Sequence, residues 1–274
     1  MNTKTANTKP VIKDIQGSDD SRAISINHVG ICDIRLPMVL ADGGSQTPTV
    51  GRWACYTNLP AAVRGTHMSR LVRVIHDAGA TMNFSRFCAI PEAILEALPD
   101  ADDCFLSLKF QGFINKAAPI SKEHGYLDFE AAFYVWQRNG RLRRLLSAAV
   151  PVTSLCPCSK AISQYGAHNQ RSRVECVLEA PDTTRLSDVV SLIEEAASCE
   201  LYSILKRPDE RHVTERAYDN PKFVEDMVRD LAVAVARLPE VSNYRVAAEN
   251  FESIHNHSAY AMIQSPEFPT HILT

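Results

Sequence analysis

Residues 140–180 read GRLRRLLSAAVPVTSLCPCSKAISQYGAHNQRSRVECVLEA. The two ends, GRLRRLLSAAVPVTSL and RSRVECVLEA, are strand-like, with apolar and β-branched residues in short runs. Between them lie two cysteines one residue apart, Cys156 and Cys158, and a histidine twelve positions after the first, His168. Two strands separated by this connection open the second half of the chain. They restart an element order that the first half has already run once.

In the first half, HVGICDIRLPMVL (28–40) and TPTVGRWACYT (47–57) read as a hairpin across ADGGSQ. Met68, Leu71, Val72 and Ile75 then fall on one helical face, with Thr66 expected as N-cap and Gly79 as terminator. PEAILEALP predicts a second, short helix opened by Pro91. Strands are expected at CFLSLKFQGF (104–113) and GYLDFEAAFYVWQ (125–137).

In the second half, LSDVVSLIEEAASCELYSIL (186–205) predicts a helix with Val189, Leu192, Ile193 and Ala196 on one side. A further helix is expected from Asn220 as cap and Pro221 at its first position, with a stripe of Val224, Met227, Leu231, Val235 and Leu238. YRVAAENFESI and HSAYAMIQ close the chain as strands. The order strand-strand-helix-helix-strand-strand, run twice, is an α+β architecture with helices on one face of the sheets. Residues 1–25 read as a flexible polar leader, 26–140 as a first module and 141–274 as a second, in one compact unit.

Composition narrows the function classes. The 274 residues are 45% hydrophobic and 22% charged, the balance of a soluble globular protein. A net charge of -3 argues against a nucleic-acid surface, so any anion site must be local. There is no bilayer-length apolar run and no signal-peptide core, which points to a cytoplasmic protein with reduced thiols. Six of the eight cysteines sit singly among apolar neighbours and read as small buried hydrophobes.

The paired cysteines need another account. A one-residue gap is shorter than the roughly two to four residues that separate thiolates in a zinc knuckle. A disulfide across it would be strained. One thiol acting as nucleophile or metal ligand, with the other beside it, remains open, as does an ordinary loop role for His168. In the polar loop KRPDERHVTERAYDNP (206–221), Glu210, His212 and Glu215 read as solvated or functional, and Glu225 stands one turn into the next helix. His255 and His257 alternate in ENFESIHNHSAY, so on an extended strand both face one way, as metal binding or acid–base work requires. Glu249, Asn250 and Glu252 crowd the same place. Thr66, His67, Ser69 and Arg70 at a helix start suit either phosphate or a capped basic surface.

Together, GTHMSR, SLCPCSK, YGAHNQRS and ENFESIHNH resemble the motifs of type IB GTP cyclohydrolase I, in order, from about His28 to the C-terminus. The resemblance implies a bimodular tunnelling fold, each module an antiparallel sheet backed by two helices, in a homotetramer with active sites at subunit interfaces. It implies hydrolysis of GTP to 7,8-dihydroneopterin triphosphate and formate, the opening step of tetrahydrofolate (pterin) biosynthesis. It also implies a divalent metal (zinc, manganese or iron) on Cys156, His168 and Glu210, Glu225 on the guanine edge, and His255 and His257 near the breaking bond. Cys156 thereby belongs to the catalytic centre, and Cys158 is a supporting thiol or redox partner. His67 and Arg70 are expected phosphate contacts. Two rivals remain at this level: an NADPH-dependent nitrile reductase of the same fold with Cys156 as nucleophile, and a non-catalytic metal- or nucleotide-binding protein.

Overall fold

The computed structural model describes residues 14–273; residues 1–13 of the expected leader lie outside them. Strands β1 (Ile26–Asp42) and β2 (Ser45–Leu59) form the first hairpin, turned by Gly43 and Gly44 at positive φ. Helix α1 (Met68–Asp77), the two-residue β3 (Thr81–Met82) and helix α2 (Phe84–Ala97) follow. Then come β4 (Asp103–Ala117) and β5 (His124–Arg138). Asn139 and Gly140, both at positive φ, make the two-residue turn into β6 (Arg141–Leu155).

The second half continues with a short helix α3 (Pro157–Ile162), β7 (Asn169–Glu179), helix α4 (Leu186–Ala196) and β8 (Cys199–Glu200). Helices α5 (Arg207–Asp219) and α6 (Val224–Ala236) precede strands β9 (Asn243–Asn250) and β10 (Ala259–Gln264).

All strands join one sheet in the order β10-β9-β7-β6-β5-β4-β2-β1-β3, with β8 pairing off this path to β6. Every pairing is antiparallel except β1 with β3. Alternation sends Leu106, Leu108, Phe133, Val135, Leu146, Val150, Val174, Leu178 and Val246 to one face. There they pack with Phe87, Ile94, Ile193 and Leu231 of the helices into one core. Among the described residues, the opposite face has only a small apolar cluster, where Phe268 and Ile272 cover Tyr134, Leu145 and Val177. This is the α+β tunnelling-fold arrangement, with helices backing both halves of the sheet.

Two carboxylates tie the halves together. Asp42, at the β1–β2 turn, accepts hydrogen bonds from the first amides of α4, Leu186 N and Ser187 N, both at 2.9 Å. Asp209, buried at the start of α5, accepts from Ile120 N at 2.8 Å and Ser121 N at 2.9 Å in the β4–β5 connection. It also accepts from Lys206 N at 2.9 Å.

Several expected boundaries are corrected. Asn83, not Pro91, starts α2: its side chain accepts from Arg86 N, and Pro91 lies inside the helix. Burial of Phe84, Phe87, Cys88, Ile90 and Ile94 on the sheet offsets the hydrogen bond that Pro91 cannot donate. His67 rather than Thr66 sits at the N-cap of α1, and the Thr66 carbonyl instead accepts from Gln16 Nε2. The helix expected over 186–205 stops at Ala196, because the chain turns to pair β8 with the end of β6. The polar stretch 206–221 is mostly helix, α5, with only Asp209 and Ala217 buried. It has almost no apolar stripe to betray it. Asn220 closes α5 instead of opening α6, its amide donating to the Ala197 carbonyl at 2.9 Å. The second half thus carries more helices than the repeated order predicts. Of the six singly placed cysteines, Cys32 is exposed and the other five are buried.

Candidate active site at the polar end of three strands

The core-facing positions of β6, β7 and β9 change character toward one end. On β6 they run Leu146, Ala148, Val150, Val152 and then Ser154; on β7, Leu178, Cys176, Val174 and then Ser172 and Gln170; on β9, Val246, Ala248 and then Asn250. One more two-residue step from each leads to Cys156, His168 and Glu252, just past the strand ends. An apolar layer therefore ends in buried polar groups, and those end in groups capable of chemistry.

Cys156 and His168 are held together by main chain. Cys156 N donates to the His168 carbonyl at 3.1 Å, continuing the ladder beyond Leu155 and Asn169. Ser159 Oγ donates to the Cys156 carbonyl at 3.1 Å and accepts from His168 N at 3.2 Å. Pro157 opens α3, and Cys156, at its N-cap, accepts from Ser159 N through Sγ at 3.4 Å. Cys158, two residues on, is exposed.

Glu252 links the histidines. Its Oε2 lies 3.9 Å from His168 Nδ1 and 3.7 Å from His255 Nδ1, and the carboxylate side chain is 12% exposed. The His168 and His255 rings are edge-on at 6.4 Å, and the His255 and His257 rings stack at 5.2 Å. The strand expected for His255 and His257 is instead a bend between β9 and β10, because the ladder stops at Asn250 and resumes at Ala259. The stacked bend still keeps both imidazoles on one side.

The other expected residues are placed more loosely. Glu210 is exposed on α5, in the row that continues to Val213, Thr214 and Ala217. Those three line a cleft of about 210 Å³ with Thr153 and Asn169, the residue after His168. Glu225 is exposed in the first turn of α6, where the helix dipole favours a carboxylate. The lead into α6 is fixed beside the site, since Lys222 N donates to the Leu155 carbonyl at 3.0 Å.

His67 and Arg70 lie on the first half of the fold. His67 Nε2 is 3.4 Å from Asp14 Oδ2, and Arg70 Nη1 donates to the Ala97 carbonyl at 3.0 Å. Among the described residues no hydrogen bond or ion pair joins either to the Cys156 group. Likewise, among the described residues no set of three or more Cys, His, Asp or Glu side chains is close enough to hold a metal. One chain holds the main chains of two of the three expected ligands, Cys156 and His168, side by side. Gln170 was absent from the expected site, and Glu252 was expected only as a neighbour of the histidine pair, although the two-residue step along β7 and β9 reaches both.

The buried cysteines elsewhere play no part in this cluster. Burial pushes the Cys88 thiol up to about 12 and Cys199 to about 11, which keeps both protonated.

A family model described as type I GTP cyclohydrolase folE2 matches residues 12–261, spanning the cysteine–histidine connection and the histidine bend. The chain belongs to that family. GTP cyclohydrolase FolE2 of Paraburkholderia phymatum is 49% identical over 256 residues, covering 93% of this chain and 95% of that protein. The FolE2 protein of Bordetella pertussis is also 49% identical, with 93% and 96% covered. That of Nitrosococcus oceani is 46% identical, with 92% and 95% covered. Among solved structures, Bacillus sp. TB-90 urate oxidase is similar at a TM-score of 0.53 and 8% identity, covering 89% of this chain and 100% of that one. At that identity the likeness concerns the fold alone. No helix among the described residues of this FolE2 family member is long and apolar enough to cross a membrane.

Proposed function

We propose that the polar end of β6, β7 and β9 is the catalytic centre of a GTP cyclohydrolase, which hydrolyses GTP to 7,8-dihydroneopterin triphosphate and formate at the start of tetrahydrofolate biosynthesis. The observation that carries the reading is the convergence of Cys156, His168, Glu252 and the His255–His257 pair at one strand end, in a chain of the FolE2 family.

Cys156 and His168 would hold a divalent metal, with Glu210, exposed on α5, the expected third ligand. Sulfur, nitrogen and oxygen donors suit zinc, manganese or iron. When bound, the metal would supply a water acidified toward neutrality. His255, set by Glu252, donates a proton to guanine N7 and makes C8 electrophilic, and His257 stacked behind it shares the proton traffic. Water adds at C8, the imidazole ring opens to a formamide, and a second water releases formate. Opening of the ribose, rearrangement and reclosure expel one water. Glu225 accepts from N1–H and the exocyclic amine of guanine, which fixes the base in register. His67 and Arg70 bind the triphosphate at an interface of a homotetramer, where one subunit's α1 end meets its partner's strand end. The enzyme acts in the cytoplasm, where Cys156 stays reduced.

The test is incubation of the purified protein with GTP and zinc, manganese or iron under reducing conditions, followed by oxidation. Pterin fluorescence is expected with at least one metal, and no product with any of them would overturn the proposal.

A further inference from the structure

Behind His168 an unbroken polar chain runs into the molecule. His168 Nδ1 is 2.9 Å from Gln170 Oε1, and Gln170 Nε2 donates to Ser154 Oγ at 2.8 Å. The Ser154 and Ser172 hydroxyls are 2.8 Å apart, and Ser172 Oγ donates to Asn250 Oδ1 at 2.7 Å. The four residues come from β6, β7 and β9. Ser154 and Ser172 are wholly buried, Gln170 and Asn250 nearly so.

Proton counting gives this chain a direction. With the Asn250 amide oriented so that Oδ1 faces Ser172, that oxygen can only accept, so it takes the single proton of Ser172. The Ser154–Ser172 contact must then use the Ser154 proton, which leaves Ser154 Oγ free to accept from the Gln170 amide. Gln170 therefore turns its carbonyl oxygen to His168, and an oxygen there requires N–H at Nδ1. Glu252 Oε2, 3.9 Å from the same nitrogen, is a second acceptor on that side.

We infer that Gln170, Ser154, Ser172 and Asn250 are positioning residues that fix His168 as its Nδ1–H tautomer and leave the Nε2 lone pair free for a ligand. Free imidazole favours the opposite tautomer, with the proton on Nε2, so the chain imposes a state the ring would not choose. A histidine that ligates through one nitrogen is set by the hydrogen bond at the other. The inference deepens the reading of His168 as a metal ligand and rests on that reading for its functional consequence. The tautomer itself is a property of the metal-free protein.

Long-range proton–nitrogen correlation spectra of metal-free, histidine-labelled protein test it, at a pH alkaline enough to keep imidazoles neutral. Wild-type His168 is expected as Nδ1–H, and Gln170→Met, which keeps volume but removes the acceptor, should shift it toward Nε2–H. The same variant should bind zinc roughly 10- to 100-fold more weakly in a chelator competition. Nε2–H in the wild type, or a pattern unchanged in Gln170→Met, would overturn the inference even if zinc bound tightly. A tautomer that shifts as expected in a protein that never binds zinc tightly would sustain the positioning role and count against the metal reading instead. If Gln170→Met does not fold, Ser172→Ala cuts the same chain. It should admix Nε2–H, and an unaltered wild-type pattern in it would contradict the assignment.

Discussion

Asp209 and Glu210 are neighbours in sequence with opposite surroundings, one buried under backbone amides and one exposed. Burial alone would raise the Asp209 carboxyl, but hydrogen bonds from Ser121 and from the amides of Lys206 and Ile120 outweigh it and hold it well below the usual carboxylate range. A folded value below the unfolded one, near 3.9, stabilises the protein above about pH 4, and that contribution is lost as pH falls through the folded value. Asp209→Asn should therefore lower the melting temperature at neutral pH, and the gap from wild type should narrow below about pH 4. Thermal denaturation across that range checks it, and a gap independent of pH would refute the assignment. Glu225 makes its case through substrate. If Glu225 accepts from guanine as proposed, Glu225→Ala should reduce kcat/KM by roughly 10²- to 10⁴-fold, with the melting temperature little changed because the side chain is exposed. The residue types of the site were legible from motif and spacing. Their third dimension was not: Gln170 and Ser172 look like ordinary strand polar residues until the alternation along β7 shows them facing the core.

The elements themselves divide into those with a strong period and those without. Strands β1, β2, β4 to β7 and the stripe of α6 are plain in the sequence, because each buries a regular set of side chains. Helix α5 is not, since tertiary fastening at Asp209 and Ala217 replaces an apolar face. Pro91 misleads for a related reason: the core contacts of α2 outweigh a local helix breaker. The His255–His257 bend reads as strand in the sequence because alternation of two residues looks the same in either. Helix α4 offers a test at this scale. Its N-cap, Arg185, makes no side-chain cap, and Asp42 of the distant β1–β2 turn takes that role. Asp42→Ala should cost about 1–2 kcal/mol, or a few degrees in melting temperature, and a value within error of wild type would show that the amides of Leu186 and Ser187 find water instead.

At the scale of the molecule, the twofold element order gave the architecture, and the sheet joins both halves through the β5–β6 hairpin. What no period could show is that the polar end of that sheet holds two of three expected ligands in one chain while Glu210 stands on a separate helix. The cyclohydrolase reading makes Cys156 and His168 the fixed part of a metal centre. Substituting Cys156 should lower turnover by more than about a hundredfold, beyond the loss typical of residues that only support a ligand. The most direct test is elemental analysis of protein purified under reducing conditions, wild type beside Cys156→Ala, with circular dichroism on both. Stoichiometric metal is expected in the wild type, with its loss from the variant and an unchanged fold. Equal metal in the two proteins would contradict it.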